Sequence, residues 1–113
     1  MEQRIIVAII RRDKLEAVQK RLQEIGIGRI AVSKVKGYGE YCDFFARDWM
    51  VDEVRLEIFS GEDRVDIITT AIMDAAHTGL HGDGVIAVMP IERFFRIRTR
   101  SEATPNEFLP KAG

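Results

Sequence analysis

The sequence predicts an α+β sandwich of order β-α-β-β-α-β, followed by a short extra strand, and three observations carry that prediction. Four stretches read as strands, two by strict alternation and two as short β-branched apolar runs. Two intervening stretches return apolar residues every three to four positions, the period of an amphipathic helix. Glycine-rich turns separate these elements, with Gly82-Asp83-Gly84 the most compact of them.

Taken in order, Arg4 to Ile10 is a continuous apolar run bounded by charge and reads as a buried strand. Asp13, with Glu16 three residues later, is placed to cap the helix that follows. Leu15, Val18, Leu22 and Ile25 form its inward stripe, and Gly26 or Gly28 ends it. Arg29 to Lys36 alternates as a second strand, ending at Gly37-Tyr38-Gly39. The stretch from Glu40 to Asp48 lacks a clear period and reads as an exposed or partner-facing loop. In the third strand, Val51 to Phe59, Val54, Leu56 and Ile58 oppose Arg55 and Glu57. Ser60-Gly61 reads as a turn, with Ser60 or Asp63 capping a second helix that carries Val65, Ile68, Ile72, Ala75 and Ala76 inward. The fourth strand is expected from Val85 to Met89, broken by Pro90, and the fifth from Phe94 to Thr99. Residues 1–100 form one domain in this reading, and 101–113 a loosely held tail.

This order defines a ferredoxin-like split β-α-β sandwich, with both helices on one face of an antiparallel sheet. The opposite face is partly apolar and no third layer is available to cover it. Burial against other copies of the chain is the economical solution, so an oligomer is expected.

Composition narrows the function. A net charge of −1 argues against a general nucleic-acid or anionic-membrane binder. A single cysteine, Cys42, excludes an internal disulfide and fits a reducing cytoplasm. The apolar run from Ile5 to Ile10 is too short for a membrane span or signal-peptide core.

The glycines of Gly82-Asp83-Gly84-Val85 let a backbone approach a ligand closely and let amide groups converge. In Phe95-Arg96-Ile97-Arg98, arginines two apart on a strand would share a face. Together they suggest an anion site suited to phosphates.

Several fragments in this order resemble the nitrogen regulatory P-II signalling family. They are Ile9-Ile10 with Lys14-Leu15, Val35-Lys36-Gly37-Tyr38-Gly39, and Met50-Val51-Asp52 leading to Val54-Arg55-Leu56-Glu57-Ile58. Ala76-His77-Thr78-Gly79, Gly82-Asp83-Gly84 and Arg96-Ile97-Arg98-Thr99 complete the set. The resemblance implies a homotrimer with inter-subunit clefts for ADP or ATP as effector ligands, no prosthetic group and no catalytic residues. It also implies a loop that regulates a partner protein, either a transporter or a metabolic enzyme. On this resemblance the nucleotide site takes in Ile9, Gly37, Tyr38, Gly39, Glu57, Phe59, Gly82, Asp83, Gly84, Val85, Arg96 and Arg98, with Glu57 at the adenine edge and Ile9 and Phe59 walling the base. Tyr41, Phe44, Phe45, Arg47 and Trp49 would belong to the partner-binding loop.

The sequence departs from the family pattern at informative points. Val85 stands where a lysine usually reaches the outer phosphates, and Tyr41 where a glutamine helps hold Mg²⁺ and 2-oxoglutarate. Ala31 replaces a hydroxyl residue near the base. The loop after Gly39 is about seven residues shorter than usual, a change that costs little in closure entropy. These departures bear on ATP, 2-oxoglutarate and covalent modification of the loop while leaving most contacts to adenosine and the inner phosphates.

The alternative is a trimeric metal-binding or metal-tolerance protein of similar fold, using His77, His81 and acidic neighbours. Against it, the helix is expected to end near Thr78-Gly79, which takes His81 off its face. Cys42, between acidic neighbours Glu40 and Asp43, lacks the electropositive setting of a reactive thiol. No G-x-S-x-G, H-E-x-x-H or P-loop pattern points to an enzyme.

Overall fold

The computed structural model describes residues 2–38 and 50–104. The first strand, β1 (Gln3–Arg11), leads through a 3-10 turn into α1 (Leu15–Glu24). β2 (Ala31–Gly37) and β3 (Val51–Gly61) follow, then a second 3-10 turn, α2 (Val65–Ala76) and β4 (Gly84–Ile91). A two-stranded hairpin, β5 (Phe95–Arg96) with β6 (Ser101–Glu102), completes the described chain.

The main sheet has the order β2-β3-β1-β4 and is antiparallel throughout. This is the ferredoxin-like arrangement expected from the element order. The side-chain period of two assigns each strand residue to a face. Ile6, Ala8 and Ile10 of β1 and Val54, Leu56 and Ile58 of β3 lie under the helices, all within 2% of complete burial. Val18 and Leu22 of α1 and Ile68, Ala71, Ile72 and Ala76 of α2 meet them there. Each such large aliphatic side chain contributes roughly 1.5–3 kcal/mol by leaving water.

Gly26 ends α1. With φ of +87° it takes the left-handed position, its N–H donates to Gln23 O at 3.0 Å, and the Ile27 N–H donates to Leu22 O at 2.9 Å. This Schellman closure brings buried Ile27 over buried Leu22. Arg64 reinforces it by donating from Nη2 to the Ile25 carbonyl at 2.7 Å.

Several local expectations are corrected. Neither helix has a side-chain cap at its start: Asp13 lies inside the 3-10 turn Arg12–Lys14, and Asp63 inside the turn Glu62–Arg64. The 3-10 turns themselves tighten each entry, so the Asp13–Glu16 capping pattern is not used. Ser60-Gly61 is not a turn but the end of β3, with Ser60 Oγ donating to Gly61 O at 2.7 Å. Pro90 does not break β4; it pairs opposite Arg4 on an edge strand, where a missing N–H is tolerated. The expected strand from Phe94 to Thr99 is only Phe95–Arg96, because the chain turns over residues 97–100. Arg100 takes φ of +56° and its N–H donates to Ile97 O at 3.2 Å to close that turn. The tail therefore begins as a paired strand at Ser101, and Ala103 N–H donates to Phe94 O at 3.0 Å.

The sheet face away from the helices carries Ile5, Val7 and Ile9 of β1, and Val85, Ala87 and Met89 of β4, as cross-strand pairs. Arg55, Glu57 and Phe59 continue this face on β3. Val85 is 66% and Met89 43% exposed, so a sizeable apolar surface stands open on a single chain.

Candidate functional site

The glycine loop between α2 and β4 is organised by Asp83. Its carboxylate accepts from the Thr78 N–H at 2.8 Å, the Gly79 N–H at 2.9 Å and the Thr78 hydroxyl. A fourth donor arrives from the end of β1, where Arg11 Nε reaches Asp83 Oδ1 at 3.0 Å. Arg11 Nη2 also donates to the His81 carbonyl. The Thr78 hydroxyl and amide, together with Arg11 and the Gly79 amide, hold the Asp83 carboxyl far below the usual carboxylate range. Its carboxylate thus fastens the loop, its oxygens taken up by donors of the chain itself.

Gly82 and Gly84 have φ of +98° and +104°, values that favour glycine. At Gly84 the requirement is also steric. A Cβ there would lie 1.8 Å from the carbonyl oxygen of Ile9, so β4 can join β1 only through a residue without a side chain.

Two clefts divide the expected nucleotide residues. The first, of about 910 Å³, is lined by Ile9, Gly37, Tyr38, Gly82, Gly84 and Val85, joined by Arg11, Arg12, Asp13, Val51, Asp52 and Glu53. The second, of about 690 Å³, is lined by Phe59, Arg96 and Arg98 with Arg29, Phe94, Phe95 and Ile97. Phe59 packs against Phe94 with ring centroids 5.4 Å apart. Ile9 and Phe59 therefore do not wall one base within a single chain; Phe59 pairs with Ile5, four residues along β1 from Ile9. Arg96 and Arg98 share the second cleft, although Arg98 sits in the turn rather than on a strand. Glu57 lines neither cleft and accepts from Arg55 Nε at 3.0 Å on the open sheet face. Gly39, Tyr41, Cys42, Phe44, Phe45, Arg47 and Trp49 lie outside the described residues.

Arg11, Arg29 and Glu53 escaped the sequence reading. Arg11 meets Asp83 across 72 positions, a contact that no local pattern signals. At the alternative metal site, α2 ends at Ala76, and His77 leaves the helix with ψ of 130°. Among the described residues no three histidine, cysteine or acidic side chains gather in a position to hold a metal ion.

A ferredoxin-like domain with an open apolar sheet face and a glycine loop at one edge defines a class of small α+β proteins, and comparison with known proteins narrows it. The family Nitrogen regulatory protein P-II matches residues 3–101, and the chain belongs to this family of nitrogen-regulatory signalling proteins. It is 38% identical over 104 residues to a nitrogen regulatory protein P-II of Pasteurella multocida, covering 86% of this chain and 93% of the relative. It is 41% identical over 101 residues to one of Bradyrhizobium diazoefficiens, covering 83% and 90%. Among solved structures, Arabidopsis thaliana PII bound to citrate superposes with a TM-score of 0.79 at 33% identity, covering 90% of this chain and 89% of that one. Among the described residues no helix is long and apolar enough to cross a membrane.

Proposed function

We propose that this chain forms a trimer that binds an adenine nucleotide between subunits and regulates a transporter or enzyme through its 39–49 loop, in the cytoplasm. The observation that carries the reading is the division of the site. The glycine loop with Ile9, Gly37 and Tyr38 lines one cleft, and Arg96, Arg98 and Phe59 line another. Both clefts stand open to solvent on a single chain. Packing the open faces of β1 and β4 against neighbouring copies would bury Val85, Ala87 and Met89 and bring unlike halves together.

In that arrangement the backbone at Gly82–Val85 donates to the phosphates, the arginines neutralise them, and Tyr38 and Ile9 provide apolar surface. Glu57, on the open face, would meet the adenine edge of a ligand held by a neighbour. The citrate bound by the Arabidopsis relative shows that an anion is held by a protein of this fold. The Val85 side chain offers an outer phosphate neither charge nor a hydrogen bond, so ADP or AMP binds at least as tightly as MgATP and 2-oxoglutarate adds nothing.

Light scattering at micromolar concentration tests the assembly, with a trimer expected and a stable monomer overturning it. Calorimetric titration with AMP, ADP and MgATP, with and without 2-oxoglutarate, tests the ligand. MgATP binding tenfold tighter than ADP, sharpened by 2-oxoglutarate, contradicts the proposed preference; no binding of any adenylate overturns the nucleotide reading itself.

A further inference from the structure

We propose that Glu53 sets the ligand specificity of the glycine-loop cleft by repelling additional phosphates, so that the site selects a nucleoside monophosphate. This deepens the nucleotide reading above and rests on it. Glu53 is half-buried on β3, opposite Arg11 on β1 and Val35 on β2. A Cβ at Gly37 would lie 3.6 Å from its Oε1, which places the carboxylate beside the Gly37-Tyr38 wall. Burial raises its pKa and the nearby Arg11 opposes that rise, so the group is partly desolvated where it lines the cleft.

The charges around it do not favour a polyanion. Among the described lining residues, Asp13, Asp52 and Glu53 face Arg11 and Arg12. Arg11 is already engaged by Asp83 at 3.0 Å, and Arg12 lies 3.8 Å from Asp52. Val85, on the same wall, adds no charge. The second cleft has the opposite character, with Arg29, Arg96 and Arg98 and, among its described lining residues, no carboxylate. A ligand spanning the two halves can set one phosphate against the arginines. Each further phosphate reaching toward Glu53 meets a partly desolvated carboxylate, where like charges repel more strongly than in open water.

The test is calorimetry of Glu53→Gln and Glu53→Ala beside the parent protein, with AMP, ADP and ATP in EDTA and then with Mg²⁺. Thermal melting confirms that the variants are folded, and the two substitutions differ in bulk so that one remains informative if the other packs poorly. In EDTA the parent is expected to bind AMP most tightly and ATP least. Glu53→Gln should tighten ATP by about tenfold or more and change AMP by less than about threefold, the signature of a repulsive charge removed. An unchanged AMP-to-ATP ratio in both variants overturns the inference while leaving nucleotide binding intact. Weaker ATP binding by Glu53→Gln only when Mg²⁺ is present also overturns it, since Glu53 would then hold the metal. If neither parent nor variants bind any adenylate, both this inference and the nucleotide reading fall.

Discussion

Arg11 ties the last residue of β1 to the glycine loop by reaching Asp83 Oδ1 and the His81 carbonyl with separate nitrogens, at 3.0 Å and 2.5 Å. Because Asp83 also gathers the Thr78 and Gly79 amides, one guanidinium and one carboxylate fix the path of the chain from the end of α2 to β4. Replacing Arg11 by alanine should loosen residues 78–83 without unfolding the sheet. The readout is faster hydrogen exchange at the Thr78 and Gly79 amides, with unchanged protection at Leu56 and Ile58 in the core. Unchanged exchange at Thr78 and Gly79 would show that the loop holds itself together.

The same cluster fixes a pH dependence. Hydrogen bonds from the Thr78 hydroxyl and amide, with those from Arg11 and Gly79, lower the folded-state pKa of Asp83. A depressed carboxylate contributes order that is present above its unfolded pKa and lost as the pH falls through the folded value. The loop should therefore stay intact from neutral pH down through the ordinary carboxylate value of about 4, and loosen only in stronger acid. Amide shifts of Thr78 and Gly79 followed by NMR check this, and a midpoint near the ordinary value would contradict it.

Gly84 and Gly26 form a matched pair of substitutions. Both have positive φ, but alanine at 84 would also place its Cβ 1.8 Å from the Ile9 carbonyl oxygen, whereas nothing lies within 4 Å at 26. Gly26→Ala should cost about 1–2 kcal/mol, the left-handed penalty alone. Gly84→Ala should cost about 3 kcal/mol or more, because the β1–β4 pairing must shift. Chemical denaturation measures both, and equal losses would contradict the steric account.

Arg96 and Arg98 should carry much of the nucleotide affinity in the assembled protein. Charged hydrogen bonds are worth about 1.5–3 kcal/mol, so Arg98→Ala is expected to weaken ADP by roughly ten- to a hundredfold. Unchanged affinity would mark these arginines as ordinary surface.

The strands were legible where sequence period and burial coincide. Val54, Leu56 and Ile58 alternate with Arg55 and Glu57, and the structure buries the first set under the helices. Gly26 was legible as a terminator because left-handed geometry is a local demand. Residues 95–100 misled for the opposite reason. Alternating arginines have the same pattern on a strand as in a tight hairpin, and the turn closes through Arg100, whose positive φ nothing in the sequence announces. Helix entry was misread because an aspartate inside a 3-10 turn looks like a cap in sequence. The separation of the candidate residues into two linings on one chain was not legible in their spacing, although the family resemblance implied clefts shared between subunits. Ile9 and Phe59 lie on the same sheet face, and only the three-dimensional register puts them at different ends of it.

Pro90, read first as the end of a strand, has a consequence for how the molecule can assemble. β4 is one border of the sheet, and a proline has no N–H to offer a strand arriving from outside. The other border, β2, carries the exposed lysines Lys34 and Lys36, whose like charges would oppose each other in a β2–β2 pairing. Edge-to-edge growth of the sheet is thus opposed at both borders, which leaves the broad flat surface as the larger face open to contact.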